Sequence, residues 1–239
     1  MDFAYSITGF IVGFIVGMTG VGGGSLMTPI LVLVFGIKPA IAVGTDLLYA
    51  AITKSGGILV HKKKGNINWR IVGLLSLGSL PASVISIYLL KYLNHAGINY
   101  DRLITLSLSI ALMLTSLVLL FKDRLQRLGR NERFNVIRTL HKQLQTPITV
   151  LAGVLLGMLV TFSSVGAGAL GAAILFFLYP RLPTIKIVGT DLAHAVPLTA
   201  VAGLGHMYLG TINYSILVFL LLGSLPGIYI GSQIGRAHV

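Results

Sequence analysis

Apolar stretches long enough to cross a lipid bilayer recur along the whole chain, and they restrict its fold more than any other feature. A helix of about 20 apolar residues spans the hydrocarbon core of a membrane. Such stretches are Ala40–Val60, Ile71–Leu93, Leu103–Phe121, Ile185–Met207 and Tyr214–Ile230. Charged residues make up only 10% of the 239 residues, against about 25% in soluble domains. We therefore expect an all-α, multi-pass protein of a cell membrane.

The basic residues are concentrated in two loops, and the chain as a whole carries a net charge of +12. The loops are His61–Arg70 and Lys122–Gln143. Lys and Arg accumulate in cytoplasmic loops, so both loops are predicted to be cytoplasmic and to contact anionic lipids, in preference to nucleic acid. The chain has no cysteine, which excludes disulfides and thiol chemistry. No group of side chains has the spacing of metal ligands, and no cofactor is predicted.

Two longer apolar segments are interrupted by glycine-rich sequence. Tyr5–Phe35 contains GMTGVGGGSLMT, and Thr149–Tyr179 contains SSVGAG. We expect each half of these segments to be too short to cross the membrane alone. Non-helical backbone at membrane depth is tolerated only where protein or a water-filled cavity surrounds it. Each segment is therefore predicted to be either a helical hairpin with its glycine-rich tip inside the membrane, or a broken crossing helix.

The sequence realigns with itself at a shift of 144 or 145 residues. VGTDL occurs at Val43–Leu47 and Val188–Leu192, and LGSLP occurs at Leu77–Pro81 and Leu222–Pro226. Several matches in order at nearly one offset indicate a duplicated unit. We predict a first transmembrane repeat at 1–121, a basic cytoplasmic linker at 122–146 and a second repeat at 147–239.

The two repeats are predicted to be inverted relative to each other. The basic loop His61–Arg70 corresponds to the uncharged Tyr208–Asn213, so the two loops are expected on opposite sides of the membrane. Inversion requires a hairpin plus three spanning helices in each repeat, whereas a broken crossing helix would make the repeats parallel. Because only thirteen residues follow Pro226, we expect the last helix of the second repeat to be missing; the final six, IGRAHV, resemble a translated sequencing adapter.

The two glycine-rich tips are predicted to bind an anion. Glycine lets backbone N–H groups approach a ligand closely, and the helix that follows adds the positive end of its dipole. Broken helices at matching positions in two halves are typical of transporter sites. The candidate binding residues are Gly22, Gly23, Gly24, Ser25, Thr45, Ser163, Ser164, Gly166, Gly168 and Thr190. Close helix packing is the alternative use of glycine, and we expect it at Gly9, Gly13, Gly153 and Gly157.

Together these features resemble the TauE/SafE family of sulfite exporters, also called the toluenesulfonate uptake permease family. The resemblance rests on the glycine-rich hairpin, VGTDL, the basic loop ending in GNIN (Gly65–Asn68), LGSLP and the duplication. It covers essentially the whole chain. It implies a transporter rather than an enzyme, with small sulfur-containing anions such as sulfite, sulfoacetate or other organosulfonates as substrates.

Two carboxylates fall at equivalent positions inside predicted spans. Asp46 and Asp191 either cap helix N–H groups together with Thr45 or Thr190, and so fix the hairpin, or exchange a proton during transport. The sequence alone leaves both roles open.

Three further polar residues belong to the same spans. Lys54 lies two turns after Asp46 and either pairs with it, attracts the anion or extends towards the cytoplasmic side. His194 lies one turn after Asp191 and either relays protons or forms a hydrogen bond in a helix interface. His206, like His61, lies at a span end and is expected to face water.

Two other classes of protein compete with a transporter. One is a membrane scaffold without transport activity. The other is an intramembrane hydrolase, with Ser163 or Ser164 as nucleophile and His194 or His206 as base. The sequence shows no acidic residue suited to orient that base, which disfavours the hydrolase. A homo-oligomer is compatible with the sequence, which does not determine the oligomeric state.

Overall fold

The computed structural model describes residues 2–19, 26–63, 65–121 and 135–237. Within these ranges the chain forms nine helices and no strand, so the predicted all-helical architecture is confirmed. The helices are α1 (Asp2–Thr19), α2 (Met27–Leu33), α3 (Pro39–Lys63), α4 (Trp69–His95), α5 (Asp101–Leu120), α6 (Asn135–Ser163), α7 (Ala169–Leu178), α8 (Thr184–Tyr208) and α9 (Tyr214–Ala237).

Five helices of the described part are long and apolar enough to cross a membrane. They are α4, α5, α8, most of α9 and the apolar part of α6, Leu144–Ser163. This part of α6 has 20 residues, so the expectation that each half of the hairpin is too short is wrong for this arm. Helix α3 has 25 residues but carries Asp46 and Lys54 in its apolar stretch and falls outside this set. Helix α6 starts at Asn135, so it includes the end of the stretch predicted as linker.

Both glycine-interrupted segments fold back on themselves. The ring of Tyr5 in α1 lies 4.6 Å from the ring of Phe35, which follows α2. In the second segment, Thr149 in α6 shares a hydrogen bond of 2.8 Å with the hydroxyl of Tyr179, which follows α7. These two contacts join residues at equivalent positions, 144 apart in sequence. The start of each first arm therefore lies beside the end of its second arm, as a hairpin requires.

Close backbone packing joins helices from opposite halves of the chain. Helix α1 packs along α9, and α4 packs along α6. A β-carbon on Gly13 would lie 2.5 Å from the carbonyl oxygen of Ser224, and one on Gly157 would lie 2.4 Å from that of Ser79. Gly9 and Gly153 meet the carbonyls of Leu220 and Leu75 at similar distances. The predicted packing role of these four glycines is confirmed.

Helices α3 and α8 cross at the centre and run antiparallel. Gly44 lies against the side chain of His206, whereas Gly203 lies against Leu48, so residue numbers rise along one helix as they fall along the other. Buried apolar side chains fill this contact, including Val43, Leu47, Leu198 and Ala202. The two VGTDL motifs, Val43–Leu47 and Val188–Leu192, therefore lie in the two helices that make this contact.

Candidate functional site

The tip of the second hairpin is buried and holds a strained serine. All residues from Ser163 to Gly168 are buried. Ser164 has a φ of 58°, and it is the only non-glycine residue of the described part with a positive φ. Its hydroxyl is buried, and the structure gives it no hydrogen-bond partner among the described residues. Backbone strain and an unpaired polar group together are typical of functional sites.

Two glycines shape the rest of this tip. Gly166 and Gly168 have φ values of 114° and 133°, which favour glycine. Their carbonyls accept hydrogen bonds from the backbone N–H groups of Gly171 and Ala172, at 3.1 and 3.2 Å. For the N–H groups of Ala169, the first residue of α7, and of Leu170, no protein acceptor is present among the described residues. The start of α7 therefore offers free N–H donors with the positive end of a helix dipole.

Lys54 reaches this tip from α3. Its side chain is 5% exposed, and its Nζ donates a hydrogen bond of 2.7 Å to the carbonyl oxygen of Ala167. The ammonium group also interacts electrostatically with both Asp46 and Asp191. The alternative in which Lys54 extends towards the cytoplasmic side is therefore wrong, because the side chain is enclosed by the second hairpin and by α8.

Asp46 is fully buried and faces the short helix α2. Its Oδ2 accepts a hydrogen bond of 2.5 Å from the hydroxyl of Thr28, and the backbone N–H of Thr28 adds to the stabilisation of its charge. The other oxygen, Oδ1, is buried and has no hydrogen-bond partner among the described residues. Asp46 lies in the third turn of α3, so it does not cap its own helix but holds the first turn of α2, the second arm of the first hairpin.

Asp191 takes the equivalent place in the second half. A β-carbon on Gly171, in the first turn of α7, would lie 1.9 Å from the Oδ1 atom of Asp191. This oxygen is buried and has no hydrogen-bond partner among the described residues. The charged group that acts on Asp191 is Lys54, which comes from the other half of the chain. Each carboxylate thus faces the second arm of the hairpin in its own half, but only Asp46 is held by hydrogen bonds.

His194 lies one turn after Asp191 and differs from its counterpart in the first half. Its Nε2 lies 2.8 Å from the hydroxyl of Ser79 in α4, while its buried Nδ1 has no partner in the described part of the chain. The equivalent residues, 145 positions away, are Tyr49 and Ser224, whose side chains also face each other. The second half therefore carries an imidazole where the first half carries a phenol.

Three predicted binding residues have other partners. The hydroxyl of Thr190 accepts a hydrogen bond from the backbone N–H of Asn68, and that of Thr45 accepts one from Asn213. Ser163 donates to the carbonyl of Leu159 at 2.6 Å and accepts from the N–H of Val165 at 3.1 Å, so it holds the turn of the tip. These contacts are structural ones.

The sequence predicts that His206 faces water, and this prediction is wrong. It is fully buried, with Nδ1 at 2.8 Å from the hydroxyl of Thr211 and Nε2 at 3.0 Å from the carbonyl oxygen of Thr161. It joins the end of α8 to α6 because close packing of the glycine-containing helices encloses it. His194 and His206 thus bond to groups other than Ser163 and Ser164, and the serine–histidine pair of a hydrolase is not formed among the described residues.

The predicted site at the first hairpin tip lies outside the described residues. Gly22, Gly23, Gly24 and Ser25 belong to this part, and the side chain of His61 is not described either. The site that the structure describes is thus made of Asp46, Lys54, Ser164, Asp191, His194 and the backbone of the second tip.

Sequence reasoning did not select Thr28, Ser79 or the carbonyl of Ala167 as parts of the site. Ser79 lies in the repeated LGSLP motif, so a polar residue recurring at the same place in two spans was an available signal. Thr28 ends the glycine-rich stretch of the first hairpin, next to the predicted nest. No feature of the sequence marks the carbonyl of Ala167, because its role depends on Lys54, which lies 113 residues away in the chain.

Long apolar helices that enclose a buried group of two carboxylates, a lysine and an imidazole define a multi-pass membrane protein with a polar site inside its bundle. The chain belongs to the TauE/SafE family: the family described as Sulfite exporter TauE/SafE matches residues 5–238. The family inferred from the sequence motifs is confirmed.

Curated relatives of the chain are described as membrane transporters. Probable membrane transporter protein YjnA of Bacillus subtilis is 36% identical, over 98% of this chain and 90% of its own length. YdhB of the same organism, described in the same words, is 28% identical over 94% of this chain and 86% of its own length. MJ0441 of Methanocaldococcus jannaschii, also described so, is 26% identical over 96% and 83%. No solved structure matches the chain.

Proposed function

We propose that the protein transports small anions across the membrane, and that the anion binds at the second hairpin tip beside Lys54. The single observation that carries this proposal is the position of Lys54, a buried cation bonded to the backbone of a glycine-rich tip. An ionisable residue inside a membrane domain is expensive and marks a substrate or ion pathway by default. The family description as a sulfite exporter supports sulfur-containing anions such as sulfite, sulfoacetate or other organosulfonates.

The donors around the tip suit a small oxyanion. The free N–H groups of Ala169 and Leu170, the unpaired hydroxyl of Ser164 and the ammonium of Lys54 all belong to or contact one short turn. Such donors match the oxygens of a sulfite or sulfonate group, and the dipole of α7 favours a negative charge at its N-terminus. The two nearby carboxylates disfavour ligands of higher negative charge. The site thus favours a monovalent anion over one of higher charge.

We also propose that the two halves are inverted in the membrane. The antiparallel course of α3 and α8, which occupy equivalent places in the two repeats, supports this arrangement. So do the two hairpins, because a hairpin plus three spanning helices makes an odd number of crossings in a complete repeat. With the basic loop 61–70 in the cytoplasm, the uncharged loop 208–213 lies outside.

Ligand-dependent thermal stability of the purified protein tests the proposed site. We expect sulfite and methanesulfonate to raise the melting temperature and acetate to raise it less. Lys54→Gln should abolish the shift, because the only buried ammonium group of the described part is lost. Ser164→Ala should reduce it. Lys62→Gln, an exposed lysine at the end of the same helix, is the matched control and should leave the shift unchanged.

Flux in proteoliposomes distinguishes a transporter from a scaffold. We expect uptake of radiolabelled methanesulfonate by wild-type protein and by Lys62→Gln but not by Lys54→Gln. Absence of both ligand-induced stabilisation and flux in the wild type would favour the scaffold. Normal binding by Lys54→Gln would show that the anion does not bind beside Lys54 at the second hairpin tip.

A further inference from the structure

We propose that one proton binds with each monovalent anion, and that Asp191 holds this proton while the anion occupies Lys54. This inference rests on the proposed anion site and names its coupling ion. It follows from the charge balance of the buried site and from the hydrogen bond that Thr28 donates to Asp46 but that has no counterpart at Asp191.

The buried site has little tolerance for added charge. Among the described residues, the Asp and Lys side chains buried inside the bundle are Asp46, Lys54 and Asp191, and the buried imidazoles of His194 and His206 add no charge when neutral. With both carboxyls ionised and the lysine protonated, the sum is −1. A monovalent anion would make this sum more negative, from −1 to −2, in a place removed from water. Burying uncompensated charge is strongly unfavourable. One proton that binds with the anion keeps the sum at −1, so anion and proton together add no net charge.

Asp191 is the carboxylate that loses its compensation when an anion binds. Asp46 keeps the hydroxyl and N–H of Thr28 as donors whatever Lys54 does, and hydrogen bonds to the charged form favour that form. The Oδ1 atom of Asp191 has no hydrogen-bond partner among the described residues, and the charged group that acts on this carboxylate is Lys54. When the ammonium of Lys54 turns to the anion, Asp191 is left as an uncompensated charge against the first turn of α7.

The surroundings of Asp191 contain one further group that can move a proton. On its own helix this group is His194, whose Nδ1 is unpaired and whose Nε2 faces Ser79. From α3 the charged groups are Lys54 and Asp46. The buried stretches of α4, α6 and α7 present no acidic or basic side chain to it among the described residues. Asp46 has Tyr49 in the place of His194, so the proposed proton path exists in the second half only.

Calorimetry on the wild-type protein tests the stoichiometry without any variant. Methanesulfonate is a suitable probe because it remains monovalent over the working pH range. Titrations in two buffers of different ionisation enthalpy give the number of protons taken up per anion bound. We expect a value near one, and affinity that weakens about tenfold per pH unit on the alkaline side. A value near zero would overturn the inference while leaving the anion site intact, and absence of binding would instead overturn the proposed function.

Transport measurements assign the proton to its residue. Wild-type uptake of methanesulfonate should follow an imposed pH gradient and ignore an imposed membrane potential, because the pair is neutral. Asp191→Asn should lose the drive by the pH gradient and keep exchange of anion for anion. Lys62→Gln, an exposed change at the end of the helix that carries Lys54, is the control and should keep the drive by the pH gradient. Loss of that drive in Asp46→Asn alone would overturn the assignment.

A charge-rescue pair covers the case in which single variants fold poorly. Lys54→Thr installs the residue found at the equivalent Thr199 and leaves two buried carboxylates without a cation. We expect a lower melting temperature for this variant, restored towards wild type by adding Asp191→Asn but less by adding Asp46→Asn. Equal restoration by both would show that Lys54 does not distinguish the two carboxylates and would contradict the inference.

Discussion

The backbone N–H of Asn68 donates a hydrogen bond of 2.9 Å to the hydroxyl of Thr190, across the two halves of the chain. The equivalent residues, Asn213 and Thr45, form the same bond at 3.1 Å. Each asparagine also begins the next helix, because its side chain accepts from the N–H three residues later. The GNIN and VGTDL motifs, and the GTIN motif that matches GNIN, are therefore parts of one contact made twice.

We expect Thr45→Val and Thr190→Val to lower stability without preventing anion binding. Each change removes an acceptor for a backbone N–H, and hydrogen bonds between membrane helices contribute roughly 0.6–2 kcal/mol. Thermal melting with and without methanesulfonate measures both effects. Thr53→Val, which loses only a bond within its own helix, is the control. A loss of binding at unchanged stability would instead show that the two threonines contact the substrate, as the sequence predicts.

The strain at Ser164 predicts opposite effects on stability and binding. The left-handed backbone conformation at this position costs a non-glycine residue about 1 kcal/mol. Glycine adopts it without that cost, so Ser164→Gly should raise the melting temperature or leave it level. The same change deletes the unpaired hydroxyl, so methanesulfonate affinity should fall. Ser164→Ala should lose affinity with no gain in stability. Unchanged affinity in both variants would show that the hydroxyl does not contact the anion.

Alanine should affect stability differently at Gly157 and Gly73, two glycines of spanning helices. A β-carbon on Gly157 would meet the carbonyl of Ser79, whereas one on Gly73 would meet nothing within 4 Å. We expect Gly157→Ala to destabilise the protein by about 1–3 kcal/mol, as overpacking does. Gly73→Ala should be neutral or slightly stabilising, because alanine favours helix. Equal effects in melting experiments would refute close packing of α4 and α6 at Ser79.

The inverted arrangement predicts the accessibility of two equivalent turns. Gly65 and Gly210 are exposed, share a positive φ near 70° and leave open space for a side chain. In sealed vesicles of known orientation, an impermeant thiol reagent should label Gly65→Cys from the cytoplasmic side only and Gly210→Cys from the outside only. The shared φ makes the strain of both cysteines alike, so each serves as the other's control. Labelling of both from one side would favour parallel repeats.

Much of the fold follows from patterns of apolar residues and from the duplication. The spans, the two hairpins and the packing role of glycines such as Gly13 and Gly157 are local or repeated features, which a linear sequence displays directly. The length of α6 was misjudged because its apolar part begins earlier than the repeat alignment suggested and reaches 20 residues. His206 was misjudged because burial at a span end depends on how closely neighbouring helices approach.

The sequence by itself determined that this is a helical membrane protein of the TauE/SafE family, with acidic residues at Asp46 and Asp191. Only the tertiary structure decided which of the polar residues meet. Lys54 bonds to Ala167 and acts on Asp191 because α3 and α8 cross antiparallel, so that residues far apart in sequence become neighbours. The physical reason is that apolar periodicity and glycine content specify helices and their close approach, whereas the partners of a buried charge depend on how whole helices cross.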